Sequence, residues 1–337
     1  MKSMKTKLVM LFIMIIAEPC FAQERIFRFN PGKVWLDDEH NVINAHGGGM
    51  LYHDSTYYWY GEYKQGKTVL PEWATWECYR TEVTGVSCYS SKDLLNWHFE
   101  GIVLGAEKTD SLHDLHTSKV VERPKVIYNS KTRKFVMWAH IDSADYSKAS
   151  VGVAVSDSPT GPFFYLGSFR PNGEMSRDQT LFVDDDGKAY QICSSEDNAT
   201  MYIHLLADDY LKPTKIYTRN FEKKYREAPA LFKHQGKYYL LTSGCSGWDP
   251  NVADIAVADS MLGEWKSLGN PCIGEEADKT FYGQSTYVQP VIGRPDTYVA
   301  MFDRWKKTDL PDSRYIWLPL TFEGDKPKII WHKDWGF

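Results

Sequence analysis

Five stretches of the chain share one layout, in which an apolar strand, a short polar turn and an aromatic strand follow one another. The first stretch reads GMLYHDSTYYWYGEY, and the five begin at positions 49, 123, 180, 228 and 285. Successive starts are therefore 74, 57, 48 and 57 residues apart. Repetition at this spacing is typical of sheets arranged radially around an axis.

A second hairpin follows each of the five. The second hairpins occupy 85–101, 150–167, 201–217, 253–269 and 314–331. Two hairpins make a four-stranded sheet, and no apolar segment of helical period and length competes with them. The sequence therefore predicts an all-β fold, a five-bladed β-propeller that forms a single domain. A two-sheet sandwich would not account for five copies.

The first strand of each blade lines the central channel of a propeller, so equivalent positions of the repeats converge on one face. Residues at or just before these strand starts form a predicted ring of His46, Glu122, Asp178, Glu227 and Gln284. Three carboxylates in one pocket repel one another, so at least one should have a raised pKa. Glycoside hydrolysis requires a protonated carboxylic acid next to an ionised carboxylate. The alternative is that these acids are solvated or pair with nearby arginines, but three acids in register favour a site.

Charge and short motifs exclude several other functions. The chain has 39 basic and 44 acidic residues, a net charge of −5, which argues against nucleic acid as a partner. The abundant Tyr and Trp offer flat apolar faces with polar edges, which suit sugars. Neither a zinc-type cysteine spacing nor a phosphate-binding loop is present, so we expect no metal and no cofactor.

The first 22 residues have the pattern of a secretory signal peptide. Three lysines precede the apolar run LVMLFIMIIA at 8–17, and Cys20-Phe21-Ala22 ends in a small residue. Ten apolar residues are too few to span a bilayer. We expect a mature chain of 23–337 without a membrane span, exported to the periplasm or secreted.

Five cysteines follow that segment, at positions 78, 88, 193, 245 and 272. In an oxidising compartment pairs can form, and Cys78 with Cys88 is the best candidate pair because the two flank a short stretch. The alternative, equally weighted, is that all five are buried thiols.

With these residues in view, the chain resembles glycoside hydrolase family 43, and within it the exo-β-1,3-galactanase branch. The resemblance runs over most of 23–337. It is carried by AHGGG (45–49), YYWYGE (57–62), ERPKVIYN (122–129), SRDQTLFVDDDGKAY (176–190), REAPALF (226–232), SGWDPN (246–251) and YGQSTYV (282–288). The resemblance implies a propeller that hydrolyses with inversion and releases galactose from the non-reducing end of β-1,3-galactan, the arabinogalactan backbone.

The resemblance also implies catalytic roles. Glu227 matches the general acid, and Asp178 matches the carboxylate that tunes and orients it. Most of the family has an Asp base in the first blade, near His46 here, and this chain has none. In the galactanase branch a glutamine that matches Gln284 positions the attacking water, and Glu122 matches a further required acid. We expect either Glu122 or the imidic acid tautomer of Gln284 to remove the proton from the water.

Substrate-binding residues are predicted around this set. Glu62 and Tyr146 match sugar-contacting positions, and we also expect Arg123, Trp248 and His46 to contact the substrate. The longest insertion, 64–84, carries Trp73 and Trp76. These two rings either stack on a sugar over the pocket or pack the insertion.

Two rival functions remain from the sequence. One is another activity of this scaffold, an arabinofuranosidase or xylosidase, against which the missing first-blade Asp counts. The other is a non-catalytic carbohydrate-binding propeller, which would be expected to lack Glu227 as well. We expect a monomer whose partner is a polysaccharide or oligosaccharide.

Overall fold

A computed structural model describes residues 26–337, and the predicted signal peptide at 1–22 lies outside them. Within 26–337 no helix is long and apolar enough to cross a membrane. The described chain forms five sheets, one for each pair of predicted hairpins. The prediction of a five-bladed β-propeller is confirmed.

The first two blades take consecutive strands from the chain. Blade one contains β1 (His46–His53), β2 (Thr56–Val69), β3 (Arg80–Ser91) and β4 (His98–Gly105). Blade two contains β5 (Val120–Asn129), β6 (Lys134–Asp142), β7 (Ser150–Ser156) and β8 (Phe164–Phe169). A short 3-10 helix, η1 (Pro171–Gly173), leads to blade three.

Blades three and four repeat this order. Blade three contains β9 (Gln179–Val183), β10 (Ala189–Ser195), β11 (Thr200–Leu206) and β12 (Pro213–Asn220). Blade four contains β13 (Arg226–His234), β14 (Lys237–Gly244), β15 (Asp254–Ala258) and β16 (Lys266–Gly269).

Blade five has one strand more than the sequence predicts. It contains β17 (Cys272–Ile273), β18 (Gln284–Pro290), β19 (Tyr298–Arg304), β20 (Arg314–Glu323) and β21 (Lys326–Ile330), with the 3-10 helices η2 (Ala277–Tyr282) and η3 (Leu310–Asp312) between strands. β17 pairs in parallel with the outer strand β21. A two-residue strand is too short to produce a periodic pattern, which is why the sequence does not reveal it.

The innermost strands β1, β5, β9, β13 and β18 contact one another in a closed ring around the axis. The ring closes between blades five and one, where an aromatic cluster that includes the buried Trp59, Trp97 and Trp317 fills the junction. Phe29 and Trp335 also pair there through their backbones and stack at 4.4 Å. Apolar burial between neighbouring blades therefore holds the ring rigid around its centre.

Four of the five inner strands contain a β-bulge at or just after their ring residue. Register shifts follow His46, Glu122 and Glu227, and one follows Ser285 next to Gln284. Bulges re-aim side chains and recur beside active sites. Here the bulges interrupt the alternation of side chains between the two faces of the sheet. The first residues of the strands can then point into the mouth of the channel.

Gly47 shows how closely the backbone packs at this mouth. Its φ is 58°, and a Cβ there would lie 2.1 Å from Oε1 of Glu62. A Cβ on Gly49 would lie 2.4 Å from Cδ of the buried Lys125. The glycines of AHGGG therefore allow charged side chains to approach the axis.

Candidate active site

The ring residues meet at one cavity at the mouth of the channel. Eight of the nine predicted site residues line it: Glu62, Glu122, Arg123, Tyr146, Asp178, Glu227, Trp248 and Gln284. The cavity has further lining residues: Trp76, His140, Arg177, Asn198, Gly247 and Trp305. Each inner strand from blades two to five thus supplies a polar group at its start or just before it.

Glu227, the second residue of β13, is a carboxyl group of this cavity whose pKa is raised, and burial also raises the pKa of Glu62. Burial raises the pKa of Glu227 to about 8, and the negative charge of Asp178 adds to the effect. The sequence argument for a raised pKa is thus supported, but burial contributes more than repulsion. Glu227 therefore retains its proton at neutral pH, as a general acid requires.

Asp178 lies directly before β9 and is tied to the neighbour of Glu227. Its Oδ2 accepts a hydrogen bond from the backbone N–H of Ala228 at 3.0 Å. The same oxygen forms an ion pair with the guanidinium of Arg123 at 3.1 Å. Ala228 has a left-handed φ of 52° in the bulge of β13. The carboxylate of Asp178 therefore fixes the bulge that carries Glu227 as well as raising the pKa of that acid.

Glu122, on β5, has the opposite electrostatic environment. Burial alone would raise its pKa, but His140 and Lys64 nearby and a hydrogen bond from Tyr146 outweigh burial and hold the pKa of Glu122 at about 2. The Tyr146 hydroxyl donates to Oε1 at 2.7 Å, and Nδ1 of His140 lies 3.3 Å from Oε2. Between the two pKa values, about 2 and about 8, Glu122 is therefore ionised while Glu227 is protonated.

His140, on β6, is the cation that lowers the pKa of Glu122. It is not among the site residues predicted from the sequence. Its Nε2 lies 2.9 Å from Oδ2 of Asp142, so the ring stands between two buried or half-buried carboxylates. Although burial opposes the charge, hydrogen bonds and attraction from Asp142 and Glu122 raise the pKa of His140 to about 10. The carboxylate two residues along the same strand was the only sequence signal for this role.

Gln284 begins β18, and its amide has a defined orientation. Its Oε1 accepts hydrogen bonds from the guanidinium of Arg123 and from Nε1 of Trp305, the latter at 2.8 Å. Its Nε2 donates to the hydroxyl of Ser243 at 3.1 Å. Two groups that can only donate face Oε1, so the amide presents its second N–H to the cavity.

Glu62 and Lys64, on β2, form a buried ion pair beside Glu122. Nζ of Lys64 lies 2.6 Å from Oε2 of Glu62, and Oε1 of Glu62 accepts from the backbone N–H of Arg123 at 3.0 Å. The Lys64 ammonium also lies 5.8 Å and 5.5 Å from the ring centroids of Trp248 and Trp305. This cluster holds the wall of the cavity in place, since each buried charge has a partner.

His46 is the predicted site residue that the structure does not bring into the cavity. It begins β1 as expected, but its side chain is only 1% exposed. Its Nδ1 lies 3.3 Å from Oδ1 of Asp303, and its ring stacks on Tyr315 at 5.0 Å. The structure therefore places His46 outside the cavity lining, and the expected contact between His46 and substrate stays a prediction.

The two tryptophans of the 64–84 insertion differ in position. Both rings are about half exposed, but Trp76 lines the cavity and lies 5.5 Å from the Tyr146 ring, whereas Trp73 lies outside the lining. Lys307 bridges Glu77 and Asp249 at 2.5 Å and 2.9 Å. The insertion is thereby tied to the segment that carries Trp248, which narrows the mouth on this side.

The cysteines do not form the expected pair. Cys78 and Cys88 are both buried free thiols, as are Cys193 and Cys272, whereas Cys245 is free and exposed. The alternative of five buried thiols is therefore right for four of them.

One group of side chains in residues 26–337 has the spacing of a metal site. Donor atoms of Glu122, His140 and Asp178 lie within 4.8 Å of one another. Their chemistry fits an ion poorly, because a ligating imidazole must be neutral and His140 is held as a cation between carboxylates. We therefore interpret these residues as an ion-pair network.

Comparison with known proteins agrees with this geometry. The profile of glycosyl hydrolases family 43 matches residues 43–299. A cavity at the channel mouth with one protonated and one ionised carboxyl group is the arrangement that glycoside hydrolysis needs. The chain belongs to glycoside hydrolase family 43.

Two solved structures and one curated relative are similar to it. A family 43 β-1,3-galactosidase solved with galactodeoxynojirimycin is 46% identical, with a TM-score of 0.85 over 92% of this chain and 100% of that chain. An exo-β-1,3-galactanase from Phanerochaete chrysosporium, solved with β-1,3-galactotriose, is 35% identical, with a TM-score of 0.82 over 93% of this chain and 68% of that chain. A xylan 1,3-β-xylosidase from Vibrio sp. is 24% identical over 47% of this chain. The match spans about a third of that curated relative, 31% of its length.

Proposed function

We propose that the protein is an inverting exo-β-1,3-galactanase that releases galactose from the non-reducing end of β-1,3-galactan. The observation that carries the proposal is the division of protonation between Glu227 and Glu122 around one cavity. The two similar solved structures are a β-1,3-galactosidase and an exo-β-1,3-galactanase, which supports galactose as the sugar.

In the proposed reaction Glu227 gives its proton to the glycosidic oxygen as the bond from the anomeric carbon to that oxygen breaks. A water on the opposite face attacks the anomeric carbon, and its proton goes to a base. The product is galactose of inverted, α configuration, and a shortened galactan. The hydroxyl of Tyr146 and the cation of His140 hold Glu122 ready on the other side of the cavity.

The orientation of Gln284 favours Glu122 as the base. An imidic acid tautomer would carry a proton on Oε1, where Arg123 and Trp305 already point their own hydrogens. That tautomer would place three donors around one oxygen, whereas the amide satisfies both neighbours. We infer that Gln284 positions the water through its free N–H and that Glu122 receives the proton.

The narrowed mouth supports attack on chain ends. The 64–84 insertion is fixed by Lys307 on one side, and the backbone N–H of Leu310 donates to Thr68 at 2.8 Å on the other. Trp76 lies next to Gly247, the residue before Trp248, and both tryptophans line the cavity. We propose that this wall blocks one end of the cavity and that the aromatic rings contact the sugar next to the cleaved bond.

The test is proton NMR of the first product. Purified 23–337 is incubated with β-1,3-galactobiose and galactotriose, with Glu227→Gln as the matched control. We expect α-galactose to appear first, and none with the control. Release of β-galactose would contradict inversion. Binding without release would favour a carbohydrate-binding propeller, and neither binding nor release would point to arabinosides or xylosides.

We also propose that the protein acts outside the cytoplasm on arabinogalactan backbones, after export directed by residues 1–22. The amino-terminal sequence of the protein recovered from its host would test this. We expect it to begin near residue 23, and a mature chain that retains residues 1–22 would contradict export by cleavage.

A further inference from the structure

The turn between β10 and β11 has an unusual backbone. Glu196, Asp197 and Asn198 all have left-handed φ values, of 52°, 52° and 66°. Residues other than glycine rarely adopt this conformation, and three in succession store strain. Such strain persists only where the surrounding contacts impose it, and it concentrates at functional sites.

The contacts that impose it come from both ends of the turn. Glu196 accepts hydrogen bonds from Thr200 at 2.6 Å, Tyr202 at 2.8 Å and Arg219 at 2.7 Å. Asp197 accepts one from Arg177 at 2.9 Å, and Arg177 itself lines the catalytic cavity. The turn is therefore anchored so that its third residue has one defined place.

That third residue reaches the general acid. The Asn198 side chain is 8% exposed, and its Nδ2 donates to Oε1 of Glu227 at 2.8 Å. The same Nδ2 lies 3.5 Å from Sγ of Cys245, while Oδ1 is buried without a partner among the described residues. The strained turn thus directs one amide N–H onto one oxygen of the acid.

We propose that Asn198 is a positioning residue that determines which oxygen of Glu227 donates the proton. An oxygen that accepts this N–H stays the carbonyl oxygen of the acid, so the proton resides on Oε2. When the Oε2–H bond breaks and the proton moves to the glycosidic oxygen, the bond to the anomeric carbon breaks and its electron pair stays with the leaving sugar. The Asn198 N–H then stabilises the carboxylate that remains. This inference rests on the proposed function.

Other charged and titratable groups surround Glu227, and they set the direction of the expected pH effect. Asp178 raises its pKa, Arg123 and Arg177 lower it, and the Cys245 thiol hydrogen-bonds to it. Asp197 pairs with Arg177, and the Glu122 and His140 pair lies next to Asp178. A hydrogen bond donated to the carboxylate favours ionisation, so its loss moves the alkaline limb of the pH profile upward.

Two substitutions remove the donor without requiring a new backbone. Asn198→Asp keeps the shape of the side chain, and Asn198→Gly removes the side chain; both residues tolerate a left-handed φ. Asn172→Gly is the matched control, because Asn172 is also left-handed, with a φ of 52°, and belongs to blade three outside the cavity lining. Thermal melting shows whether each variant is folded.

The readout compares two leaving groups. β-1,3-Galactobiose needs the general acid, whereas 2,4-dinitrophenyl β-galactoside leaves without a proton. For both Asn198 variants we expect kcat on galactobiose to fall by about 10- to 100-fold, the range for one hydrogen bond to a charged group. On the dinitrophenyl substrate kcat should change less than about threefold, because acid catalysis contributes little there. Asn172→Gly should leave both substrates unchanged.

Two results would overturn the proposal: full activity of Asn198→Asp on galactobiose, or equal losses on both substrates. An inactive wild type on galactobiose would instead overturn the proposed substrate. In that case the sugar that the enzyme does hydrolyse is identified first. Its phenyl glycoside, which needs the acid, and its dinitrophenyl glycoside, which does not, then test Asn198 in the same way. Failure of the two proposals can therefore be told apart.

Discussion

Two glutamates, one from blade two and one from blade four, line the same cavity and differ in protonation. Burial raises the pKa of Glu227 to about 8, and the carboxylate of Asp178 adds to the effect. Arg123 and Arg177 lower that pKa by less. Glu122 has His140, Lys64 and the Tyr146 hydroxyl, and its pKa falls to about 2. The residue type is the same in both places, so the difference comes from the neighbours that each blade supplies.

The comparison shows how a symmetric scaffold produces an asymmetric reaction. Both glutamates occupy the start of an inner strand, followed by a bulge with a left-handed residue, Arg123 in one case and Ala228 in the other. The backbone positions are equivalent, and one of the differences between their surroundings lies on the second strand of each blade. In blade two that strand contributes His140, whereas in blade four it contributes Ser243, which donates no charge.

The largest expected effect is the loss of the acid. Glu227→Gln removes the carboxyl group proposed to give its proton to the glycosidic oxygen, so kcat on β-1,3-galactobiose should fall by about 10³-fold. Steady-state kinetics measures this, with 2,4-dinitrophenyl β-galactoside as the substrate that should retain most of its rate. Equal loss on both substrates would contradict the role of Glu227 as acid.

The second effect concerns the cation that keeps Glu122 ionised. His140→Gln leaves Glu122 and Asp142 without it, so the pKa of Glu122 should rise, the acid limb of the pH profile should move upward, and kcat at pH values below that limb should fall by about 10²-fold. Breaking a buried ion pair should also lower the free energy of unfolding by about 3 kcal/mol. Denaturant titration and kinetics together measure both, and an unchanged pH profile in a folded variant would refute this account of Glu122.

The third effect is a shift of pH dependence. The acid works only while it is protonated, so wild-type kcat/KM should decline as pH rises through about 8. Asp178→Asn removes the charge that helps to raise this pKa, so the decline should begin at lower pH, with kcat about tenfold lower at pH 7. The full pH profile of both proteins is the measurement. An alkaline limb that stays in place would mean that Asp178 acts by orientation alone.

The smallest effect separates two tryptophans of one loop. Trp76→Ala should raise KM for galactotriose by about three- to tenfold, the range for one aromatic contact. Trp73→Ala is the matched control and should leave KM unchanged, because its ring lies outside the cavity lining. Equal effects of the two substitutions would mean that the insertion acts as a packed unit.

Much of the fold and half of the cavity could be predicted from the repeats. Positions such as Glu122, Asp178 and Glu227 recur at one register of each copy, and alternating patterns determine that register. His140, Asn198 and Trp305 could not be found this way, since they lie on a second strand, a turn and a loop where the copies differ. The repeats predict where the strand of His46 starts but not the direction of its side chain. That direction depends on the bulge that follows His46 and on the contact with Asp303.

The most direct test is to locate the protons by neutron diffraction of the deuterated protein at pH 7. The account predicts a deuteron on Oε2 of Glu227, none on Glu122, and deuterons on both ring nitrogens of His140. A bare Glu227 carboxylate, or a deuteron on Glu122, would contradict the division of protonation between the two glutamates.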